Sequence, residues 1–125
     1  MAVTLRARTI DHVNLTVKNL AESVAFFKDL FGFEVLRDQP EQTSQIIGNA
    51  HIKLCLYEDP ALELGAGINH YGFDIENFDE VVAACEALGI RMPYGVVDWG
   101  PSRSVYIVDP SGYEIELSEV EGGGL

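Results

Sequence analysis

The stretch His12-Val-Asn-Leu-Thr-Val-Lys-Asn19 returns in pattern 58 residues later as His70-Tyr-Gly-Phe-Asp-Ile-Glu-Asn77. In each copy a His opens a segment in which polar and apolar residues alternate, which is typical of a strand with one buried face. An Asn follows seven residues after the His, and Asn is a favoured N-cap of a helix. The repetition predicts one supersecondary unit built twice, with the two His residues brought together at a pseudo-twofold axis.

Composition limits the class of protein. At 125 residues and 47% hydrophobic content, the chain is long enough for one globular domain with a substantial core. The net charge of −12 argues against nucleic acid and anionic membrane surfaces as partners. The sequence shows neither an apolar run of membrane-spanning length nor, over Met1 to Arg8, a secretory signal. Cys55 and Cys85 lack metal-knuckle spacing, so we expect a cytoplasmic protein with reduced thiols.

The first copy predicts a β-α-β-β-β module over about residues 8–60. Its helix is expected to begin after Asn19, because Glu22 completes a capping-box pattern, and to end at Gly32. Strands are predicted at Thr9–Val17, Glu34–Arg37, Gln42–Ile47 and His51–Tyr57.

The second copy predicts the same module over about residues 66–120, followed by a flexible tail at 121–125. Asn77 with Glu80 is expected to cap its helix, with Leu88 on the buried stripe and Gly89 at the end. Strands are predicted at Asn69–Glu76, Met92–Val97, Arg103–Val108 and Tyr113–Ser118.

The parity of the strands indicates which side chains face a ligand. A helix covers the apolar face of its sheet, so the polar positions lie on the opposite, concave face: His12, Asn14, His70, Gly72 and Asp74. In the last strand Glu114, Glu116 and Ser118 point the same way. Two imidazoles and one carboxylate form a ligand set suited to a divalent transition metal, with coordination positions left open for water or substrate.

The chain resembles the vicinal-oxygen-chelate superfamily, which includes glyoxalase I, extradiol dioxygenases, fosfomycin-resistance thiol transferases and bleomycin-resistance proteins. The resemblance spans about residues 8 to 120. It rests on Ile10-Asp-His-Val-Asn-Leu-Thr-Val17, Leu30-Phe-Gly-Phe33, His70-Tyr-Gly-Phe73 and, above all, Ser104-Val-Tyr-Ile-Val-Asp-Pro-Ser-Gly-Tyr-Glu-Ile-Glu-Leu117.

This resemblance implies a single α+β domain of the glyoxalase-like fold, in which two βαβββ modules form an open β-cup flanked by two helices. It implies that His12, His70 and Glu116 bind one divalent metal ion, which could be Fe, Mn, Ni, Co or Zn. It also implies a homodimer in which the modules pair across the two chains, so that the metal site forms either within one chain or between them.

The family resemblance implies that glyoxalase I has a fourth metal ligand, a Glu on the last strand of module one. Aligning His51-Ile-Lys53-Leu54 with Glu114-Ile-Glu116-Leu117 places Lys53 at that corner. A protonated ammonium group cannot bind a metal. The alignment therefore favours a three-ligand site, with Lys53 either assisting proton transfer or binding a negative group of the substrate.

Further residues are candidates for contact with a small-molecule substrate. Tyr106 shares an inward strand face with Ser104, and its phenol could orient the substrate, although an ordinary packed Tyr is the alternative. Asn14 lies on the inward face of the first strand. Arg103 and Trp99 are placed in a loop that could form a lid over an anionic or flat substrate, although a structural loop is the alternative.

The resemblance implies a metal-dependent enzyme of lyase or isomerase type. Such an enzyme acts on a small substrate with vicinal oxygens and stabilises an enolate or oxyanion through a Lewis acid. Three alternatives stay open: an extradiol-type dioxygenase, a thiol transferase, and a metal-free drug-binding or metabolite-binding protein of bleomycin-resistance type. In the metal-free protein, Lys53 pairs with Glu116 in place of the ion.

Overall fold

A computed structural model describes Thr4, Arg6, Ile10 and residues 12–119. The chain divides between Ala61 and Leu62 into two compact units, each with its own sheet and helix. The flexible tail predicted at 121–125 lies outside the described residues, as does Thr9, the predicted start of the first strand.

The first unit contains four strands and one helix. The sheet order is β1-β4-β3-β2, in which β1 runs parallel to β4 and the other neighbours are antiparallel. Along the chain the elements are β1 Val13–Val17, α1 Leu20–Phe31, β2 Glu34–Gln39, a 3-10 turn Pro40–Gln42, β3 Ser44–Gly48 and β4 Lys53–Glu58.

The second unit repeats this topology. Its sheet order is β5-β8-β7-β6, with β5 parallel to β8. Its elements are β5 His70–Asp74, α2 Phe78–Ala87, β6 Val96–Asp98, β7 Arg103–Val108 and β8 Glu114–Ser118. Two copies of one βαβββ module confirm the predicted α+β class.

Helix α1 begins and ends as the sequence predicts. The backbone N–H of Glu22 donates to the Asn19 side-chain oxygen at 2.9 Å, and Gly32 closes the helix in the left-handed region at φ 68°. The backbone N–H of Leu20 donates to the carboxylate of Glu58 at 2.9 Å. The end of β4 therefore supplies a negative charge to the helix N-terminus, where the helix dipole favours it.

Helix α2 begins after Asn77 and stops before Gly89, as predicted, with Gly89 in the left-handed region at φ 68°. Two details at its ends differ from the prediction. The Asn77 side chain makes no cap hydrogen bond, because its amide group donates to the Glu80 carboxylate at 3.3 Å instead. Leu88, predicted on the buried stripe, is 63% exposed. The helix ends at Ala87, so Leu88 is a capping residue that no longer follows the helical periodicity. Neither described helix is long and apolar enough to span a bilayer.

Strand β6 is shorter than predicted. The sequence predicts a strand over Met92–Val97, whereas the structure places a turn before Val96. Pro93 has no N–H to donate to a sheet, and the backbone N–H of Gly95 donates to the carbonyl of Met92 at 3.1 Å. The turn ends by presenting Tyr94 to solvent, with 57% of its surface exposed.

One face of each sheet is buried, and the alternation of side chains along a strand then determines which residues lie on the opposite face. Each core is filled by alternate strand positions, by helix residues and by one residue immediately before a strand, Phe33 before β2 and Tyr113 before β8. In the first unit they are Leu15, Val17, Phe27, Phe33, Ile47, Leu54 and Leu56, and in the second Phe78, Cys85, Val105, Ile107, Tyr113, Ile115 and Leu117. The residues between them along each strand lie on the face opposite the core.

A buried carboxyl group ties the turn between β7 and β8. Asp109 is only 4% exposed, and one of its oxygens accepts hydrogen bonds from the backbone N–H groups of Ser111 at 3.0 Å and Tyr113 at 2.9 Å. Its other oxygen has no hydrogen-bond partner among the described residues. Burial raises the pKa of Asp109 from 3.8 to about 6, against the opposing effect of the backbone hydrogen bonds.

The buried Asp109 predicts a specific pH dependence of stability. Its folded-state pKa lies above the unfolded value, so the folded state binds the proton more tightly and loses stability as the pH rises from about 4 through about 6. In Asp109→Asn this loss is absent. We expect the free energy of unfolding of the variant, relative to the native protein, to gain about 2 kcal/mol over this range.

Urea unfolding of the native protein and of Asp109→Asn, at about pH 4 and about pH 6, measures this difference in the free energy of unfolding. Glu86→Gln, which removes one exposed charge from α2, controls for the change in net charge. A difference between native protein and Asp109→Asn that does not vary with pH would contradict the assignment.

Candidate functional site

The second unit brings two of the predicted metal ligands together. In the parallel pair β5 and β8, His70 lies beside Glu114 and Gly72 beside Glu116. The His70 Nε2 and Glu116 Oε1 atoms are 3.3 Å apart. Their approach crosses the position of Gly72, where an added Cβ would stand 3.2 Å from the carbonyl oxygen of Glu116 and 3.4 Å from its Cβ. A residue without a side chain therefore leaves room between them.

Both side chains are held from behind by hydrogen-bond partners. The Nδ1 atom of His70 lies 2.7 Å from the side-chain oxygen of Asn69. The hydroxyl of Ser104 donates to Glu116 Oε2 at 2.7 Å, and that of Ser118 reaches the same oxygen at 3.4 Å. Glu116 Oε1 is consequently the oxygen left to face His70.

Ser104 does not have the role that the sequence suggests. The sequence predicts that Ser104 contacts the substrate, but Ser104 is fully buried. It shares the inward strand face, as predicted, yet Glu116 and Ser118 cover it, since its hydroxyl lies within hydrogen-bond distance of both. Ser104 supports the carboxylate and is not open to a ligand.

Aromatic rings surround the pair on the same sheet face. Tyr106 lies beside Glu116 in the register of β7 and β8, and its ring packs edge-on to His70 with centroids 5.5 Å apart. Tyr94 packs against Tyr106 at 5.4 Å, and its hydroxyl donates to Glu114 at 2.6 Å. Burial and the charge and hydrogen bond of Glu116 raise the pKa of Tyr106, so its phenol remains a hydrogen-bond donor at neutral pH.

The donor geometry fits two ligands of one metal ion. Nitrogen and oxygen ligands lie about 2.0–2.2 Å from a metal such as zinc. Two such ligands in adjacent coordination positions are therefore about 3.0–3.4 Å apart, and the 3.3 Å between His70 and Glu116 falls in this range. Over the described residues, neither unit by itself groups three His, Cys, Asp or Glu side chains for a metal. The second unit thus provides two donors of the expected set.

The first unit carries its candidate residues on the corresponding elements. His12 is exposed and comes immediately before β1, and Asn14 is exposed as the second residue of that strand. Asn14 lies beside Cys55 in the parallel pair β1 and β4, as Gly72 lies beside Glu116 in the second unit. The position equivalent to Glu116 is therefore Cys55.

The alignment that placed Lys53 at this corner is wrong by two residues. Lys53 opens β4 and corresponds to Glu114, not to Glu116. A shift of two residues preserves the alternation of a strand, so the pattern alone fits either alignment. Lys53 keeps the predicted face but precedes Cys55 by two residues, at the start of β4.

Arg103 is not part of a lid. It is the first residue of β7 and lies on the face opposite Ser104, where its guanidinium group stacks 4.8 Å from the centre of the Phe78 ring. It forms ion pairs with Glu119 at 2.9 Å and Asp79 at 3.1 Å. Because these partners occupy its donors on the helix side of the sheet, the structure contradicts its predicted role in binding substrate.

The structure adds site residues that the sequence analysis missed and leaves one prediction untested. Trp99 does lie in the loop between β6 and β7 and is 55% exposed, but no described contact links it to His70 or Glu116. Asn69 and Tyr94 were not singled out, since neither belongs to a repeated motif. Ser118 had a usable signal, because it shares the parity of Glu116.

Comparison with known proteins identifies the family. The family model of the Glyoxalase/Bleomycin resistance protein/Dioxygenase superfamily matches residues 9–117. The chain belongs to this superfamily. That membership confirms the resemblance drawn from the sequence motifs.

The relatives described next carry the names of enzymes, and each shares less than 30% of its aligned residues with this chain. A protein of Arabidopsis thaliana named "Probable lactoylglutathione lyase, chloroplastic" is 28% identical in an alignment that covers 90% of this chain and 36% of that protein. The chain thus spans about a third of that relative's length. The trivalent organoarsenical cleaving enzyme of Bacillus sp. (strain MD1) is 29% identical over 85% of this chain and 70% of its own.

A solved structure shows a metal in one relative. It is a mutant of the fosfomycin resistance protein FosX from Listeria monocytogenes, complexed with Mn(II) and 1S,2S-dihydroxypropylphosphonic acid. It matches this fold with a TM-score of 0.74 and 26% identity, over 90% of this chain and 92% of the FosX chain.

The two cysteines should differ sharply in reactivity. Cys55 is half-buried on the face opposite the core, whereas Cys85 is fully buried and burial raises the pKa of its thiol. We expect a thiol reagent to modify Cys55 in the native protein and Cys85 only after unfolding. Counting modified thiols by mass spectrometry tests this, with Cys55→Ser as the control. Rapid modification of Cys55→Ser under native conditions would contradict the described register.

Proposed function

We propose that this protein is a metal-dependent enzyme acting on a small substrate with vicinal oxygens, in a reaction of lyase or isomerase type. The observation that carries the proposal is the 3.3 Å approach of His70 Nε2 to Glu116 Oε1 on one sheet face. Superfamily membership and the Mn(II) bound in a FosX relative support it.

The third ligand in this proposal is His12. Its place in the first module corresponds to that of His70 in the second, and a three-ligand site leaves coordination positions for substrate. We further propose that the chain forms a homodimer, so that His12 comes either from the same chain or from its partner. His12, His70 and Glu116 then hold one divalent ion of Fe, Mn, Ni, Co or Zn.

A bound divalent ion would supply Lewis-acid stabilisation of an enolate or oxyanion. The chain's own residues then bind and orient the substrate. Tyr106, with its phenol kept protonated beside Glu116, orients the substrate through its ring and its hydroxyl oxygen. Lys53, two residues before Cys55 in β4, binds a negative substituent or moves a proton. Asn14 offers an exposed amide to the same substrate.

The charges on the open face of the second sheet are unfavourable for an anionic substrate. Its open face carries the carboxylates of Glu114 and Glu116, while Arg103 is turned to the helix side. None of the described strands β5 to β8 places a Lys or Arg on that face. An anionic group would therefore depend on the metal and on Lys53 of the first unit.

A fosfomycin-modifying activity is the second candidate. It is favoured by FosX, whose solved chain is covered over its full length by this one with a TM-score of 0.79 and 26% identity. The acidic face of the second unit counts against it, because a phosphonate needs cationic partners. Dioxygenase and metal-free binding functions stay as the remaining alternatives.

His70→Ala should abolish stoichiometric metal binding, because it removes one of two donors that the second unit contributes. Elemental analysis and titration with Mn(II) measure this. His51→Ala removes an exposed histidine that the proposal does not use and should bind metal as the native protein does. Full metal occupancy in His70→Ala would contradict the ligand assignment, and native protein without metal after reconstitution would favour the binding-protein alternative.

A substrate screen tests the reaction class. The reconstituted enzyme is assayed with 2-oxoaldehyde thiol adducts, catechols, acyl-CoA epimers and fosfomycin. Turnover of the first or third would support the lyase or isomerase proposal. Turnover of catechol or fosfomycin alone would replace it with the corresponding alternative.

Ser104→Ala should weaken metal binding about tenfold or more without abolishing it, since residues that orient a ligand contribute about 10–100-fold in affinity. The reason is the 2.7 Å hydrogen bond that holds Glu116 Oε2. Ser118→Ala, whose hydroxyl reaches the same oxygen only at 3.4 Å, is the matched control and should have a smaller effect. Equal affinities for the two variants in a Mn(II) titration would disprove this role of Ser104.

A further inference from the structure

We propose that Tyr71 and Asp109 bind one internal water molecule, which links β5 to the turn that joins β7 to β8. Tyr71 lies beside the buried Ile115 in the parallel pair β5 and β8, so its side chain is on the core face of the second sheet. The water site therefore neither uses nor requires the metal ligands, which lie on the opposite face.

Two polar atoms at this end of the second unit are buried without a partner. The Tyr71 hydroxyl and Asp109 Oδ2 are both closed to solvent, and neither forms a hydrogen bond with a described residue. Asp109 as a whole is only 4% exposed. Buried hydroxyl and carboxylate oxygens are almost always hydrogen-bonded, either to protein or to ordered water. Both atoms therefore need a small polar partner.

The strand register brings the two side chains close together. Tyr71 pairs with Ile115, two residues after Tyr113 and on the same face of the sheet. The backbone N–H of Tyr113 donates to Asp109 Oδ1 at 2.9 Å, and its carbonyl accepts from the Asp109 N–H at 3.0 Å. Burial and, after it, the negative charge of Asp109 raise the pKa of Tyr71, which shows that the two groups interact.

The turn itself is covered by protein, whereas turns usually lie at the surface. Ser111 is fully buried, and its carbonyl accepts from the backbone N–H of Gly65 at 2.7 Å. A Cβ added at Gly65 would stand only 2.8 Å from the carbonyl oxygen of Gly112. The chain before β5 therefore lies directly against the turn and helps to shield it from bulk solvent.

A water molecule matches the chemistry of both atoms. The Tyr71 hydroxyl can donate a hydrogen, and an ionised Asp109 Oδ2 can only accept one. Water can accept from the first and donate to the second, and buried waters make about two to four hydrogen bonds. A calcium or magnesium ion takes about six or more oxygen ligands, whereas two unpartnered side-chain oxygens are described in this unit.

The water gives β5 a second attachment. Among the described strands β5 is at the edge of its sheet and pairs with β8 alone. The link from Tyr71 through water to Asp109 joins the beginning of this strand to the turn before β8. The buried carboxylate thus holds the turn through Oδ1 and the neighbouring strand through Oδ2.

A crystal structure of the native protein tests the site directly. We expect one ordered water within hydrogen-bond distance, about 2.6–3.2 Å, of both the Tyr71 hydroxyl and Asp109 Oδ2. A direct hydrogen bond between the two side chains would overturn the proposal, and so would the lack of a water that contacts both.

The pKa of Asp109 provides a second measurement, by carbon NMR of its carboxyl group during a pH titration. Tyr71→Phe removes the hydroxyl that holds the water, so the carboxylate loses support and its pKa should rise. We expect proton binding about three- to tenfold tighter, half to one pH unit. Tyr57→Phe removes a half-buried hydroxyl from the first unit and should leave this pKa unchanged. An Asp109 pKa that does not rise in Tyr71→Phe would contradict the link.

Discussion

The candidate site depends on the register of the parallel pair β5 and β8. Ile115 and Leu117 of β8 are buried in the core, and Glu116 between them is on the other face. A slip of one residue would exchange these faces. It would bury carboxylates without partners and expose apolar side chains, each at a cost of several kcal/mol. The hydrophobic core therefore holds the carboxylate beside His70 more firmly than any contact within the site.

The sequence predicted the parts of this arrangement that repeat. Alternation placed His70 and Glu116 on one face, because a two-residue period is a direct consequence of the pleat. The Asn19 cap and the Gly32 stop of α1 were predicted because each depends on one local backbone requirement. The βαβββ order followed from finding the same pattern twice, and two sheets with one helix each confirm it.

Features that depend on long-range contacts were beyond the sequence. No local sequence pattern around Arg103 predicts that its guanidinium group forms ion pairs with Glu119 and Asp79. The hydrogen bond from the Tyr94 hydroxyl to Glu114 joins residues 20 positions apart in the sequence. It depends on the turn before β6, which makes that strand shorter than predicted. The misplacement of Lys53 has a different origin. Periodicity fixes the face of a strand residue but not its neighbour across the sheet, and only the pairing with β1 identified Cys55.

The correspondence of Cys55 with Glu116 bears on how such proteins diversify. Each module has its own buried core, so a side chain on the opposite face can be exchanged without disturbing the packing beneath it. A thiol now occupies the place in the first copy where the second copy keeps a carboxylate. After an internal duplication, the two halves can therefore acquire different ligand chemistries by single substitutions, while the scaffold that carries them stays the same.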